Sequence, residues 1–388
     1  MTENISTVAT APVLDEKQLQ PTAPRRSAFI DILKAFGIIA VVIGHSVAEI
    51  FGFQIGRFVY TYHLMLFFFV FGFLFSKKRV EDPQKAIGKT VCSLAKLFIT
   101  YEVLFILLRN LLITWGLTDE PPYSWQSIVY NVFNAFTLNN TERLAGAMWF
   151  VQFYLFAAIF FTLLVALCER AKRPLFLHLA TAVIFAFVGP WLVINSAAFG
   201  WRLPYYMHNS ILGLPVMYMG YFCKLYWNKI KPFVRWWSGL AVGVVIYIIL
   251  LQDIGSVELS RLELLHPALF YPVTALGIYF CMGFALLAEK ITPVCRALAY
   301  VGKNSFHIMA LHFTAIKLVD VIVGNVKGDP AALIVTFPYA YDLWYIYIPV
   351  GVLLPLCWLQ LAKLCKRGVL WGVSWLKQKI ARNMPIAQ

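Results

Sequence analysis

The sequence predicts an all-α polytopic membrane protein with about ten transmembrane helices, and three observations support this fold class. Of the 388 residues, 60% are hydrophobic and only 13% are charged, whereas soluble domains are near half apolar and about a quarter charged. Ten apolar segments reach the length of about 20 residues that a bilayer-spanning helix requires. Basic residues are concentrated on one side of the resulting layout.

The ten predicted spans alternate with connections that are mostly short and polar. The two longer connections are 116–144 and 323–340. No internal repeat is evident, so an inverted-repeat transporter architecture gains no support. The spans are 29–51, 57–76, 92–115, 145–167, 175–196, 208–226, 234–252, 267–288, 297–322 and 341–363.

The distribution of the 33 Lys and Arg residues predicts the orientation of the chain. With the N-terminus inside, all but seven of them fall on the cytoplasmic side. This is the asymmetry that the positive-inside rule expects for a protein with both termini in the cytoplasm. The seven on the outer side are Arg57, Arg109, Arg143, Arg202, Arg261, Lys317 and Lys327.

Three regions are predicted: a disordered cytoplasmic tail over 1–27, a transmembrane domain over 28–367 and a basic amphipathic cytoplasmic tail over 368–388. The first has no apolar stretch of the kind a signal peptide contains. The seven cysteines form no CxxC pair, which argues against a disulfide framework or a zinc site. The net charge of +14 is explained by topology, so the expected partner is the lipid bilayer and not nucleic acid.

The first predicted helix carries polar groups that a membrane anchor does not need. Asp31 and Lys34 lie at its start, and His45 lies well inside the apolar run. Lys34 and His45 fall within about 20° of one face and about 16 Å apart along the axis. This stripe suits a long anionic ligand with a distant reactive end. The alternatives are a snorkelling lysine and a histidine that only hydrogen-bonds a neighbouring helix, although polar groups at bilayer depth usually indicate function.

Two further histidines, which are candidate catalytic residues together with His45, are predicted to lie at a similar depth. Positions 45 and 63 are symmetric about a turn at residue 54, so an antiparallel hairpin brings His63 close to His45. Counting from the start of the ninth span places His312 about as deep. Three histidines from three helices fit a zinc site in geometry, but no sequence spacing favours one, and no metal is expected.

Other polar and aromatic residues within or beside the spans are candidates for substrate contact. Glu102 and Arg109 are seven residues apart and therefore lie near one face of the third helix. They can pair with each other, with other helices or with a substrate. Trp149 starts the fourth helix, where a place in the aromatic belt at the membrane surface is the default interpretation.

The sequence resembles the acyltransferase family 3 membrane proteins over about residues 26–365. The similarity rests on Asp31 with the Lys34-to-His45 spacing, and on "HLMLFFFVFGFLF", "MWFVQFYLF" and "VGKNSFHIMALH" in the second, fourth and ninth helices. These motifs occur in the order that the family shows. One departure is Phe71 before Gly72, where the family often has Ser before Gly.

The resemblance implies a ten-helix bundle that transfers an acyl group, usually acetyl, from cytoplasmic acyl-CoA to a hydroxyl of an envelope glycan or glycolipid. By this resemblance His45 is the catalytic histidine and Lys34 the basic residue of its motif. Acetyl-CoA is then the expected donor, with its phosphates held at the cytoplasmic side and its arm along the first helix. The expected phosphate ligands are Lys34, beside Asp31, with Lys77, Lys78, Arg79 and Lys89.

Further roles follow as expectations. His45 serves as general base, with an acyl-histidine relay as the alternative. Asn304 and Ser305 donate hydrogen bonds to the donor or the oxyanion, or else serve in helix packing. The outward-facing Arg57, Arg143 and Arg202 contact the acceptor.

Two other classes of function compete with an acyltransferase. One is a transporter or flippase of an envelope glycolipid, against which stand the missing repeat and the few intramembrane carboxylates. The other is a non-catalytic assembly factor, against which stand the clustered histidines.

Overall fold

Helices make up most of the part of the chain that the computed structural model describes. The described residues are 28–50, 52–139, 142–199, 207–252, 255, 257–261, 263–264, 266–329 and 338–383. Arg202, the predicted tail over 1–27 and the last residues of the predicted tail over 368–388 lie outside them.

The helices follow one another with few strand residues between them. A short antiparallel pair, β1 (Glu49–Ile50) and β2 (Phe53–Gln54), follows the first helix, with Glu49 opposite Gln54. The helices are α1 (Ala28–Gly44), α2 (Ile55–Tyr60), α3 (Met65–Leu74), α4 (Lys77–Glu81), α5 (Pro83–Thr114), α6 (Trp125–Phe136), α7 (Trp149–Cys168), α8 (Pro174–Phe199), α9 (Met207–Leu225), α10 (Trp227–Ile230), α11 (Trp236–Leu250), α12 (Pro267–Lys290), α13 (Thr292–Lys303), α14 (Ser305–Lys327) and α15 (Trp344–Asn383). Short 3₁₀ segments are Arg143–Met148, Lys231–Phe233, Leu259–Arg261 and Tyr341–Leu343.

The prediction of an all-α polytopic membrane protein is confirmed. Within the described residues, seven helical segments are long and apolar enough to cross a membrane, or eight if the bent pair Trp227–Phe233 and Trp236–Leu250 forms one span. At 17 residues, α1 is slightly shorter than an average span. The count of ten and the orientation of the termini stay predictions.

The first predicted span, 29–51, extends too far toward the C-terminus, because α1 ends at Gly44. Its last carbonyls find partners outside the helix: the Tyr60 hydroxyl donates to the Gly44 carbonyl oxygen at 3.0 Å, and Ser46 Oγ donates to Ile43 at 2.8 Å. Val47 then adopts a positive φ of 53°. His45 therefore lies just beyond the helix, where the chain turns, and not inside it.

The second and ninth predicted spans are each two helices. The segment 57–76 divides into α2 and α3 around a break that contains His63. The segment 297–322 divides at Asn304, whose φ of −107° and ψ of 16° are not helical. The side-chain amide of Asn304 donates to the Tyr300 carbonyl oxygen at 2.8 Å. This local bond competes with the helical pattern, which apolar periodicity alone does not register.

The helix α1 lies in the middle of the bundle. Ile32, Leu33 and Val42 have no exposed surface. A Cβ atom at Gly302 of α13 would lie only 1.7 Å from the Asp31 carbonyl oxygen, so the two backbones touch there. The helix packs against α2, α3, α12, α13, α14 and α15.

The two ends of the bundle are distinguished by the helix ends that meet there. The start of α1 and the ends of α3, α9 and α12 meet at one end, which we call the basic end. There Phe29, Phe73, Lys224 and Glu289 line one cavity, and the Phe29 amide donates to Glu289 Oε1 at 3.2 Å. The end of α1, the start of α2 and the end of α11 meet at the other, which we call the opposite end.

A glycine-to-alanine substitution tests the close packing of α3 against α9. A Cβ atom at Gly72 would lie 1.8 Å from the backbone oxygen of Met217, which cannot move without shifting α9. We expect Gly72→Ala to lower the free energy of unfolding, measured by SDS titration in mixed micelles, by about 1–3 kcal/mol. Gly88→Ala is the control, because its Cβ meets no atom within 4 Å. Equal stabilities of the two variants would contradict this packing.

Candidate functional site

Two cavities lie along one stripe of α1. The first, which we call the lysine cavity, has a volume of about 200 Å³ and is near the basic end. The second, the histidine cavity, is the smaller one at about 80 Å³. Ile38 lines both cavities, as do Phe67, Phe150 and Met309 from neighbouring helices, so the two adjoin.

The charged and polar lining of the lysine cavity comes from α1 and from the junction of α13 and α14. Lys34 and Lys303 provide ammonium groups, and Ser305 provides a hydroxyl. Lys34 Nζ lies 3.5 Å from Asp31 Oδ1, a carboxylate that is 1% exposed. The lysine cavity therefore offers cations at the end of an otherwise apolar channel, which suits the anionic part of an elongated ligand.

The histidine cavity contains His45 and His63 together with Tyr60 and Trp149. The ring of His63 lies 4.8 Å from that of Tyr60, between centroids. Trp149 stacks on Phe153 with an interplanar angle of 5°, which fixes the indole at the cavity wall. On α1, Lys34, Ile38 and Val41 recur at helical spacing, and His45 follows just beyond the end of the helix. All four line at least one of the two cavities.

His312 packs directly against His45, with 5.4 Å between ring centroids. Its Nδ1 donates to the backbone oxygens of Ile308 and Met309, at 3.1 and 2.9 Å. A carbonyl oxygen can only accept, so Nδ1 carries the proton and Nε2 is left as an acceptor. That Nε2 is buried and has no hydrogen-bond partner among the described residues. His63 has the proton on the same ring nitrogen, because its Nδ1 donates to the Val59 carbonyl oxygen at 3.1 Å.

A third cavity opens at the opposite end. This arginine cavity, of about 240 Å³, is lined by Arg57 and Arg261 and by the end of α1 at Gly44. It shares Tyr60, Val257 and Glu258 with the histidine cavity. The three cavities thus form a series from the basic end to the opposite end, and His45 lies in the middle one, which is the smallest.

The sequence comparison identifies the family. A family model described as an acyltransferase domain matches residues 27–359. The chain belongs to acyltransferase family 3. It is therefore a multi-pass membrane acyltransferase, in agreement with the motifs in its first, second, fourth and ninth predicted helices. Searches among curated proteins and among solved structures each found no match.

The acyltransferase brings some of the predicted donor-binding residues together and separates others. Lys34 and Ser305 line the lysine cavity, whereas Asn304 is bonded to Tyr300 and does not line it. The other four predicted phosphate ligands lie on α4 and α5 and line none of the three cavities. Arg79 packs its guanidinium over Phe71 and Phe75, and the other three are Lys77, Lys78 and Lys89.

Two predicted substrate-binding arginines bind carboxylates of the loop between α5 and α7. Arg109, 5% exposed, pairs with Glu120 at 2.9 Å and with Glu142 at 3.2 Å. Its guanidinium also covers the Tyr123 ring at 4.0 Å. Arg143 pairs with Asp119 at 3.0 Å. Both therefore lie outside the candidate site.

Two buried glutamates, Glu142 and Glu102, belong to the surroundings of α5. Burial raises the pKa of Glu142, and hydrogen bonds from Tyr123 and Arg109 oppose that shift. Glu102 is fully buried on α5 and lines none of the three cavities. Among the described residues, no three His, Cys, Asp or Glu side chains are arranged to hold a metal ion.

Several site residues were not predicted from the sequence. Lys303 could have been found, because it directly precedes Asn304 and Ser305 in the motif of the ninth segment. Glu258, Ser260 and Arg261 belong to a short polar loop between α11 and α12, and no pattern in the sequence links that loop to His45.

Removal of the buried arginine tests its structural assignment. Arg109→Ala leaves the buried Glu142 without its cation, and we expect a loss of about 3 kcal/mol in the free energy of unfolding. Arg143→Ala removes a pair whose side chains are each 40% exposed, and should cost less than about 1 kcal/mol. SDS titration of both variants measures the difference. A smaller loss for Arg109 than for Arg143 would refute the assignment.

Proposed function

We propose that this protein is an O-acyltransferase that moves an acyl group, acetyl in the simplest case, from cytoplasmic acyl-CoA to a hydroxyl of a cell-envelope glycan or glycolipid. The observation that carries the proposal is the continuity of the lysine and histidine cavities along α1. We further propose that it is a protein of the bacterial inner membrane, with both termini in the cytoplasm.

The dimensions of the channel support an acyl-CoA donor. From Lys34 to the end of α1 at Gly44 the helix axis rises about 15 Å at 1.5 Å per residue, and His45 follows directly. This length is comparable to that of a pantetheine arm. Lys34 and Lys303 would hold phosphate groups at the basic end. The walls between them and His45 are apolar and aromatic, from Ile38, Phe67 and Phe150, and would accommodate the uncharged arm.

The reaction proceeds by direct transfer in this proposal. His45 accepts the proton of the acceptor hydroxyl as its oxygen attacks the thioester carbonyl carbon, which forms the new C–O bond. The C–S bond then breaks, and the departing thiolate of coenzyme A takes the proton from the His45 imidazolium. Atoms and charges balance, and no metal or redox partner is required.

His312 and His63 would act as positioning residues. The Nε2 atom of His312 is an acceptor beside His45, so a hydrogen bond from the His45 ring would orient it and stabilise the imidazolium. His63 lies in the wall of the same cavity, where its Nε2 can accept a hydrogen bond from the substrate hydroxyl. Trp149 would pack against the acyl group or the acceptor.

Replacement of His45 tests the base assignment. We expect His45→Gln to lower kcat for CoA release from acetyl-CoA with an envelope-glycan acceptor by at least about 10²-fold, because general base catalysis is typically worth 10²–10⁴. Binding of acetyl-CoA, measured by equilibrium dialysis, should be retained. His266→Ala is the control, since His266 is exposed at the start of α12 and lines none of the three cavities. If His45→Gln kept a tenth of the activity, another group would be the base.

Replacement of the lysine-cavity cations tests the donor site. We expect Lys34→Met and Lys303→Met each to raise KM for acetyl-CoA about tenfold, because a charge-assisted phosphate contact is worth roughly 1.5–3 kcal/mol, and to change kcat little. Lys34→Met also removes the cation beside the buried Asp31, which can impair folding. Lys303→Met tests the same cavity without removing that cation. Lys290→Met removes a cation at the same end but outside the lysine cavity and should leave KM unchanged. Equal KM values in all three variants would exclude this cavity as the donor site.

A further inference from the structure

The proposed acyl-CoA donor occupies the lysine and histidine cavities, and the arginine cavity lies beyond it. It opens at the opposite end, beyond His45, and its junction with the histidine cavity is formed by Tyr60, Val257 and Glu258. The only side chains with a positive charge that line it are Arg57 and Arg261, within the described residues. A molecule in this cavity would approach His45 from the side away from Lys34.

The two arginines of this cavity differ from the two others described at the same end. Arg109 and Arg143 are committed to carboxylates of the loop between α5 and α7. Neither Arg57 nor Arg261 makes a salt bridge or a side-chain hydrogen bond with any residue that the structure describes. Two guanidinium groups that form no ion pair with a described residue, one half-buried and one exposed, can therefore bind an external anion.

Glu258 places a carboxylate where the arginine cavity adjoins the histidine cavity. Its Oε1 accepts hydrogen bonds from the Ser260 amide at 3.2 Å and from Ser260 Oγ at 2.6 Å, which fix the carboxylate beside the histidine cavity. A carboxylate accepts hydrogen bonds from sugar hydroxyls and repels anions. An acceptor would therefore place its hydroxyls toward Glu258 and His45 and its charge toward the arginines.

We propose that the arginine cavity binds an anionic saccharide as the acyl acceptor, one with a carboxylate or phosphate close to the hydroxyl that is acylated. This inference rests on the proposed function, because it names the substrate class for the same site. Arg57 and Arg261 bind the anionic group, for which the planar guanidinium is well suited. Glu258 orients the neighbouring hydroxyls.

Arginine labelling tests the inference without turnover. Wild-type protein in nanodiscs is treated with phenylglyoxal, and the modification of each arginine is followed by peptide mass spectrometry. Methyl glucuronoside and the 6-phosphate of methyl glucoside are the anionic probes, and methyl glucoside is the neutral one. We expect either or both anionic probes to slow labelling of Arg57 and Arg261 at least fivefold at concentrations where the neutral probe has no effect. Arg143, labelled in the same sample, is the internal control and should be unaffected.

The two anionic probes distinguish a carboxylate from a phosphate, and a variant tests the shared role of the arginines. In Arg57→Gln, about tenfold more of the protecting probe should be needed to protect Arg261. Equal protection by neutral and anionic sugars, or no protection by any of them, would overturn the inference.

Acetyl-CoA binding, measured on the same nanodiscs by equilibrium dialysis, separates this outcome from failure of the proposed function. Bound acetyl-CoA without discrimination between the sugars refutes the anionic acceptor alone. If acetyl-CoA does not bind, the acyltransferase proposal fails at its donor site, whatever the sugars do.

Discussion

The backbone contact between α1 and α13 at Gly302 determines where the site can form. Any side chain larger than hydrogen at that position would meet the Asp31 carbonyl oxygen at 1.7 Å and separate the two helices. Lys34 lies about one turn beyond Asp31, and Lys303 follows Gly302 directly, so this single contact brings both cations to one cavity. Because α14 begins at Ser305, the same contact also fixes the start of the helix that carries His312.

Lys34 and Lys303, the two cations near this contact, are not equally available to bind a ligand. Asp31 is 1% exposed, and a buried carboxylate requires a cation or several donors nearby. Lys34 provides that cation at 3.5 Å, so part of its electrostatic attraction is used within the protein. Lys303 is exposed and supplies the additional positive charge that an anion at the cavity mouth would experience. The pair Lys34 and Lys303 is therefore a better description of the proposed donor site than Lys34 alone.

Helical periodicity was sufficient to predict the stripe of α1, because this stripe depends only on the rise and rotation per residue. It could not predict that α1 ends at Gly44 or that the ninth segment breaks at Asn304, since the Tyr60 and Asn304 side-chain bonds decide those points. The different environments of Arg57 and Arg109 could not be predicted from the sequence either. Both fall on the outer side of the predicted layout, and the carboxylates folded around Arg109 distinguish them.

The arrangement of charge along the three cavities has a consequence for the proposed reaction. Cations lie in the two outer cavities, whereas the small middle cavity is lined mainly by aromatic and aliphatic side chains around His45. Anionic groups of a donor and of an acceptor would thus be held at opposite ends, and their uncharged reactive groups would meet between them. The middle cavity, at about 80 Å³, is the smallest of the three. Tyr60 contributes to this separation twice, because it lines the middle cavity and holds the end of α1 through Gly44.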